Sequence, residues 1–194
     1  AVERWFQLSQ IRDGNRKMWN LLHPLLTKGD FDKALAMIKK DKSSISQMLG
    51  MGLARLGTVR RREDIEIAME ESMMEIIPQL EKRTPYVALL SNIATLLGLL
   101  GTIMGLIEAF TAVANANPAE KADLLSASIS VAMNTTAFGL MSAIPLLLFH
   151  AKLTSTAGQI VDSLEMASVK ALNSISYFNR RHLERKQEFS DESQ

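Results

Sequence analysis

The sequence predicts an all-α integral membrane protein, in which a long transmembrane helical hairpin extends into a cytoplasmic helical bundle. No Asp, Glu, Lys or Arg occurs over residues 84–107 or over residues 124–149. Each run is longer than the roughly 20 residues that a helix needs to cross a hydrocarbon core. The regions on either side are rich in charge and carry apolar residues at helical spacing. A soluble protein with two fully buried helices is the alternative, but so short a chain could hardly enclose both helices on all sides.

Residues 1–83 are predicted to form a cytoplasmic helical region. An amphipathic helix over residues 1–22 is followed by a turn at Gly29-Asp30 and a short helix over residues 31–39. Ser43 or Ser44 is a suitable N-cap for the next helix. The segment "EDIEIAMEESMMEIIPQLEKR" is helical in pattern, and we expect Pro78 to kink it while the helix continues directly into the first membrane segment.

The hairpin follows, with membrane helices at residues 84–110 and 124–151 and a short periplasmic loop at residues 111–123. Residues 152–194 are predicted to form a second cytoplasmic helix with a polar tail. Fifteen of the 22 Lys and Arg residues precede the first membrane segment, one lies in the loop, and six follow the second segment. The positive-inside tendency therefore places both flanking regions in the cytoplasm.

Polar side chains recur inside the two membrane segments. Thr95 and Thr102 are seven residues apart, as are Ser128, Thr135 and Ser142, so each set lies on one helix face. Asn134 and Thr136 flank Thr135. Such a stripe faces protein or water rather than lipid, so these residues either pack the helices together or line a wet ion path. Spacing alone leaves both possibilities open, although Gly98, Gly101 and Gly105 favour close approach of another helix.

Several function classes are disfavoured. The chain has no Cys and a formal net charge of +1, which removes thiolate chemistry and any overall electrostatic case for nucleic acid. The three His residues are far apart and lack carboxylates at metal-ligand spacing. We therefore expect no catalytic residues, no metal and no cofactor. Glu108, at the outer end of the first membrane segment, is either an interface charge or a group that draws cations to an outer mouth.

Two motifs resemble the MotA/TolQ/ExbB proton channel family, and most closely its ExbB and TolQ branch. Gly98-Leu-Leu-Gly101-Thr102-Ile-Met-Gly105 is similar to the family's GLxGTVxGI run. Thr136-Ala-Phe-Gly139-Leu, ending in Ala143-Ile144-Pro145, is similar to its TAxGLxxAIP run. The segment "GDFDKALAMIKK" and the later "SQMLGMGLARL" resemble the cytoplasmic region of the branch. The resemblance covers most of residues 25–180.

The resemblance implies a homopentamer in the bacterial inner membrane, built around a dimer of a small single-span partner similar to ExbD, TolR or MotB. An Asp in the partner's membrane helix would carry the proton, and the complex would convert the proton motive force into mechanical work for uptake or envelope energisation. Thr102 and Thr136 match the pore-facing threonines, with Thr135 and Asn134 as added polar groups. The glycines of both motifs, together with Pro145, match helix-packing positions.

Two departures from the family pattern matter. The branch has another membrane helix before the region at which this chain begins, and we expect that helix to be absent from the sequence at hand. The family also has a Glu five residues before the second threonine, where this chain has Val131. We expect protons to be the transported ion, with sodium as the alternative. A motility stator and a non-conducting membrane scaffold are the alternative functions.

Overall fold

The computed structural model describes residues 2–56 and 61–191, and side chains up to residue 181. This part of the chain is helical, and 90% helix agrees with the predicted all-α class. Six helices occur in the order α1 (Val2–Lys28), α2 (Phe31–Ile38), α3 (Ser44–Ala54), α4 (Arg62–Glu81), α5 (Thr84–Asn115) and α6 (Lys121–Asp191).

The chain divides into two compact units. The hairpin comprises residues 83–154 together with Val2, and the bundle comprises the described residues of 3–82 and 155–191. Helix α6 contributes its first part to the hairpin and its second part to the bundle. The predicted membrane segments lie inside α5 and α6, both of which extend further into the predicted loop than the sequence suggested, so that residues 116–120 connect them. At its other end, α6 continues through the predicted polar tail as far as Asp191.

The bundle has a core of large aliphatic and methionine side chains, contributed by α1, α3, α4 and the second part of α6. The largest fully buried members are Leu8, Leu22, Leu26, Ile45, Met48, Leu49, Met69, Ile160, Leu164, Leu172 and Ile175. Burial of each such side chain contributes roughly 1.5–3 kcal/mol to folding. The hydrophobic effect therefore accounts for the cohesion of this unit.

Caps and turns define the helix ends of the bundle. Helix α1 is longer than predicted and continues through Pro24 to Lys28. The expected turn is present, because Gly29 has a φ of +79° and closely approaches the ring of Phe178. Of the two candidate caps, Ser43 is the N-cap of α3, and its hydroxyl accepts a hydrogen bond from the backbone N–H of Ser46.

The expectation that α4 runs unbroken into the first membrane segment is wrong. Pro78 is accommodated within α4, but the helix ends at Glu81 and Arg83 adopts a left-handed φ of 69°. In a continuous helix the ring of Pro85 would clash with the carbonyl group of Glu81, four residues earlier. At the start of a new helix, by contrast, the missing N–H of Pro85 costs nothing.

The end of α4 is capped by a side chain from the beginning of the chain. Arg4 donates hydrogen bonds from one terminal nitrogen to the carbonyl oxygens of Gln79 (2.5 Å) and Leu80 (2.9 Å). Carbonyl groups in the last turn of a helix lack intrahelical partners and carry partial negative charge, so a cation stabilises them. Arg4 thus fixes the start of α1 against the last turn of α4.

Candidate functional site in the helical hairpin

Helices α5 and α6 cross at two glycines within the hairpin. A Cβ atom added to Gly139 would lie 2.8 Å from the carbonyl oxygen of Ala94 and 2.8 Å from the Cα atom of Gly98. A Cβ added to Gly98 would lie 3.1 Å from the Cα of Gly139. Both contacts are with backbone, which cannot move aside cheaply. Glycine at both positions is therefore what allows the two helices to come this close.

The other two glycines of the first motif receive side chains from α6. A Cβ at Gly101 would lie 2.7 Å from the hydroxyl oxygen of Thr135, and a Cβ at Gly105 would lie 2.8 Å from the Cβ of Ala132. The glycines form shallow notches that these small side chains fill. The packing positions expected for Gly98, Gly101, Gly105 and Gly139 thus correspond to contacts inside a single hairpin.

Thr102 and Thr136 face each other across the interface between the helices. Their hydroxyl oxygens are in direct contact. The hydroxyl of Thr136 also donates to the carbonyl oxygen of Gly98 (3.1 Å), and that of Thr102 lies 3.3 Å from the carbonyl oxygens of Gly98 and Ala132. Both side chains are half-buried.

The two hydroxyl groups have fewer hydrogens to donate than there are oxygen atoms nearby to accept them. Each hydroxyl has a single hydrogen to donate but can accept through its lone pairs. Thr102 can donate to Thr136 while Thr136 donates to a backbone carbonyl, or the direction can be reversed. A hydroxyl pair with two equivalent donor patterns can reorient and pass a hydrogen bond along, which is the chemistry that a proton path requires.

Thr135 occupies a different position from its two polar neighbours. Its hydroxyl donates to the carbonyl oxygen of Ala132 in its own helix (2.7 Å), and its side chain fills the notch at Gly101. Asn134 is exposed on the outer surface of α6, as are Val131 and Phe138. The three consecutive polar residues therefore point in different directions, and Thr135 is placed as a packing residue.

The remaining candidate residues lie apart from this pair. Glu108 is exposed near the C-terminal end of α5, and Pro145 is exposed within α6, which continues through it. Within the described residues, no group of three or more metal-ligating side chains is close enough to hold a metal ion.

Sequence reasoning missed one polar contact of the hairpin. Ser91 is 1% exposed, and its hydroxyl donates to the carbonyl oxygen of Ala143 at 2.8 Å. The contact joins α5 to the Ala143-Ile144-Pro145 part of the second motif. A signal for it existed, because Ser91 lies seven residues before Gly98 and therefore shares its helix face.

These features define a class of protein. Helical stretches Arg62–Asn115 and Lys121–Arg181 contain segments with mean hydropathy of 1.9 and 1.6, and only 11% of each segment is buried. Both are long and apolar enough to cross a membrane. The contacts between α5 and α6 described above involve glycines, small side chains and hydroxyl groups. A helical hairpin with an apolar exterior and a polar seam is typical of a membrane channel or transporter subunit.

Comparison with known proteins identifies the family. Residues 40–166 match the model of the MotA/TolQ/ExbB proton channel family, and the chain belongs to this family. The matched region includes both glycine motifs and the threonine pair.

Three relatives show the same relationship, within the ExbB and TolQ branch. A biopolymer transport protein ExbB homolog of Methanothermobacter thermautotrophicus is 28% identical over 86% of the chain and 58% of its own length. The Tol-Pal system protein TolQ of Haemophilus influenzae is 33% identical over 45% of the chain and 38% of its own length. The biopolymer transport protein exbB1 of Vibrio cholerae is 47% identical over 29% of the chain and 25% of its own length. The chain thus spans 58% or less of each relative.

Proposed function

We propose that this protein is the channel-forming subunit of a membrane complex that converts a proton gradient into mechanical work. In this proposal the hairpin crosses the inner membrane with both flanking regions in the cytoplasm, and five copies surround a dimer of an ExbD- or TolR-like partner. An Asp in the partner's membrane helix carries the proton past Thr102 and Thr136. The work serves nutrient uptake or envelope energisation.

The observation that supports the proposal best is the Thr102–Thr136 hydroxyl pair. Each threonine belongs to one of the two family motifs, and the fold brings them into contact from different helices. Neither side chain can carry a net charge at neutral pH, so a separate titratable group has to supply the charge. The exposed residue five positions before Thr136 is Val131, which has no carboxylate. A carboxylate on a partner helix would meet the need instead.

The decisive experiment removes the hydroxyls and keeps the side-chain size. The protein and its partner are reconstituted into liposomes with a pH-sensitive dye inside, and proton flux is measured for Thr102→Val, Thr136→Val and Thr136→Ser. We expect each valine variant to lose at least about tenfold in flux, which is less than the roughly 10²–10⁴-fold that a positioned general acid or base contributes to a reaction. The serine variant retains the hydroxyl and is expected to retain most of the flux.

Thr111→Val is the matched control. The hydroxyl of Thr111 donates to the carbonyl oxygen of Ile107 in its own helix at 2.8 Å, so its removal leaves the threonine pair intact. Assembly is followed in parallel by size-exclusion chromatography. Full flux in an assembled Thr102→Val or Thr136→Val complex would refute the channel assignment of that residue.

A non-conducting scaffold is the second candidate, and one observation favours it. The hydroxyls of Thr102, Thr135 and Thr136 all have hydrogen-bond acceptors inside the hairpin. A purely structural seam would look the same. For a non-conducting scaffold, the unmodified complex would show no proton flux, and the valine variants would only weaken assembly.

Sodium remains the alternative ion, because Asn134 and the threonines offer neutral oxygen atoms. Flux measured under a sodium gradient without a pH gradient separates the two ions. A proton-specific channel conducts nothing under that condition.

A further inference from the structure

A cavity in the bundle, far along the chain from the threonine pair, has the lining of a binding site. It has a volume of about 370 Å³ and lies between α1, the first turn of α3 and the second part of α6. This volume is within the range of cavities that bind small organic molecules. The lining residues from α1 are Arg12, Asn15, Arg16, Trp19 and Asn20, and the others are Ile45, Gln159, Ser163 and Met166.

The charged residues that line this cavity are all cationic. Arg12 and Arg16 are one helical turn apart on the same face of α1, and no Asp or Glu is among the lining residues. Arg12 contacts Asp13 through its Nε atom at 3.2 Å, on the exposed side of the helix. Planar guanidinium groups present several N–H donors in a fork that matches the oxygens of a phosphate group.

Asn15, which lies between Arg12 and Arg16 in the sequence, has a buried hydrogen-bond donor. The residue is only 2% exposed, and its Oδ1 atom accepts a hydrogen bond from the backbone N–H of Ile45 at 3.3 Å. That bond fixes the orientation of the amide, and the Nδ2 atom is then buried with no hydrogen-bond partner. Buried amide donors in folded proteins almost always have an acceptor. Asn15 borders this cavity and a second one, so its amide lies in the wall between them.

Apolar groups form another part of the wall. Trp19, Ile45 and Met166 line the cavity together with the polar groups. A bare inorganic anion would leave this surface without a partner, whereas an anion with an organic group would cover it.

We infer that this cavity binds a phosphate monoester, with the phosphate group held by Arg12 and Arg16 and the organic group against Trp19. A soluble metabolite and a lipid headgroup share this chemistry. The site is independent of the ion path and of the function proposed above.

The test uses the 194-residue chain in detergent micelles and two probes, phenyl phosphate and dihexanoyl phosphatidic acid. These 194 residues include two Trp, so a Trp5→Phe background leaves Trp19 as their one tryptophan reporter. Binding is followed by Trp19 fluorescence and independently by equilibrium dialysis of radiolabelled probe, at constant chloride concentration. We expect saturable binding of at least one probe, and the probe that binds more tightly distinguishes a soluble ligand from a lipid.

Two cavity variants and one control complete the design. Arg12→Gln/Arg16→Gln and Asn15→Asp are each expected to weaken binding at least tenfold. The aspartate keeps the acceptor for the N–H of Ile45 and replaces the donor with an oxygen that repels phosphate. The control Lys17→Gln/Lys42→Gln also removes two positive charges. Lys17 is exposed on α1, and Lys42 lines a different cavity that Asn15 also borders. This variant is expected to bind the probe normally.

The inference is overturned if dialysis detects no saturable binding of either probe. It is equally overturned if binding survives in the arginine double variant, or if the lysine control loses binding to the same extent. Circular dichroism of every variant establishes that loss of binding is not loss of fold.

Discussion

The hairpin and the bundle place their large apolar side chains in opposite ways. In the hairpin, Leu96, Phe138 and Leu148 are each more than 60% exposed, and the residues buried between the helices are small, such as Ser91, Ala109, Ala132 and Ala143. In the bundle, leucine, isoleucine and methionine fill the interior, and the charged residues lie outside. One chain thus combines two kinds of interior.

The difference shows which force holds each unit together. Burial of large side chains stabilises the bundle through the hydrophobic effect, which acts in water. Lipid tails are as apolar as leucine, so helices in a membrane associate through close packing and hydrogen bonds instead. Glycine notches and hydroxyl contacts in the hairpin meet that requirement, and its large leucines lie exposed on its surface.

The largest expected effect comes from shortening one leucine in each unit. Leu164 is fully buried in the bundle, and Leu148 is 68% exposed in the hairpin, although both belong to α6. Leu164→Ala should lower the free energy of unfolding by about 2–5 kcal/mol through lost burial and a residual cavity. Leu148→Ala should change it by less than about 0.5 kcal/mol.

Chemical denaturation of the purified protein in detergent, followed by circular dichroism, measures both variants. Similar losses for the two variants would mean that the distinction between the two interiors is wrong.

A smaller effect is expected from adding one methyl group at the helix crossing. Gly139→Ala places a Cβ against backbone atoms of α5, and overpacking of this kind costs about 1–3 kcal/mol. Gly158→Ala is the control in the same helix, because a Cβ at that position meets nothing within 4 Å. There the better helix propensity of alanine should stabilise the protein by up to about 1 kcal/mol.

The two substitutions are expected to have opposite signs, which makes the measurement robust. Thermal unfolding in detergent should give a lower melting temperature for Gly139→Ala and an equal or higher one for Gly158→Ala. A neutral Gly139→Ala variant would show that the helices do not cross at this glycine.

Sequence reasoning predicted the parts of the fold that follow from composition and periodicity. The charge-free runs predicted the two long apolar helices, the turn at Gly29 was predicted, and one of the two candidate caps, Ser43, is the N-cap of α3. The break between α4 and α5 was not predicted. Pro85 is a signal for it, because proline is favoured in the first turn of a helix and disfavoured further inside one.

The geometry of the candidate site could not be predicted from the sequence. The motifs singled out Thr102 and Thr136, yet helical spacing could not reveal that their hydroxyls meet, because contact between two helices depends on their crossing point. Thr135 was grouped with the ion path because it adjoins Thr136 in sequence. A rotation of about 100° per residue separates the two side chains, so that one fills a glycine notch and the other faces Thr102.

The smallest expected effect lies in the bundle, at a charged group that stabilises a helix end. Asp41 accepts hydrogen bonds from the hydroxyls of Ser43 and Ser46 and from the backbone N–H of Ser43. Burial alone would raise the pKa of Asp41, but these hydrogen bonds to its charged form outweigh burial, and the pKa is lowered. A carboxyl group with a lower pKa in the folded state stabilises the protein above its unfolded pKa of about 3.9. That contribution is lost as the pH falls through the lower folded value.

Asp41→Asn should therefore lower the free energy of unfolding at pH 7 by at most about 1 kcal/mol, the size of one net hydrogen bond. The melting temperature should fall slightly. The difference from the unmodified protein should shrink as the pH falls below about 3.9. Asp162→Asn, at an exposed carboxylate of α6, removes the same charge without affecting a helix cap. Because Asp41 lies in the bundle, Asp41→Asn should not change the proton flux measured for the reconstituted complex. A change in flux that follows Asp41→Asn at neutral pH would show instead that the two units are coupled.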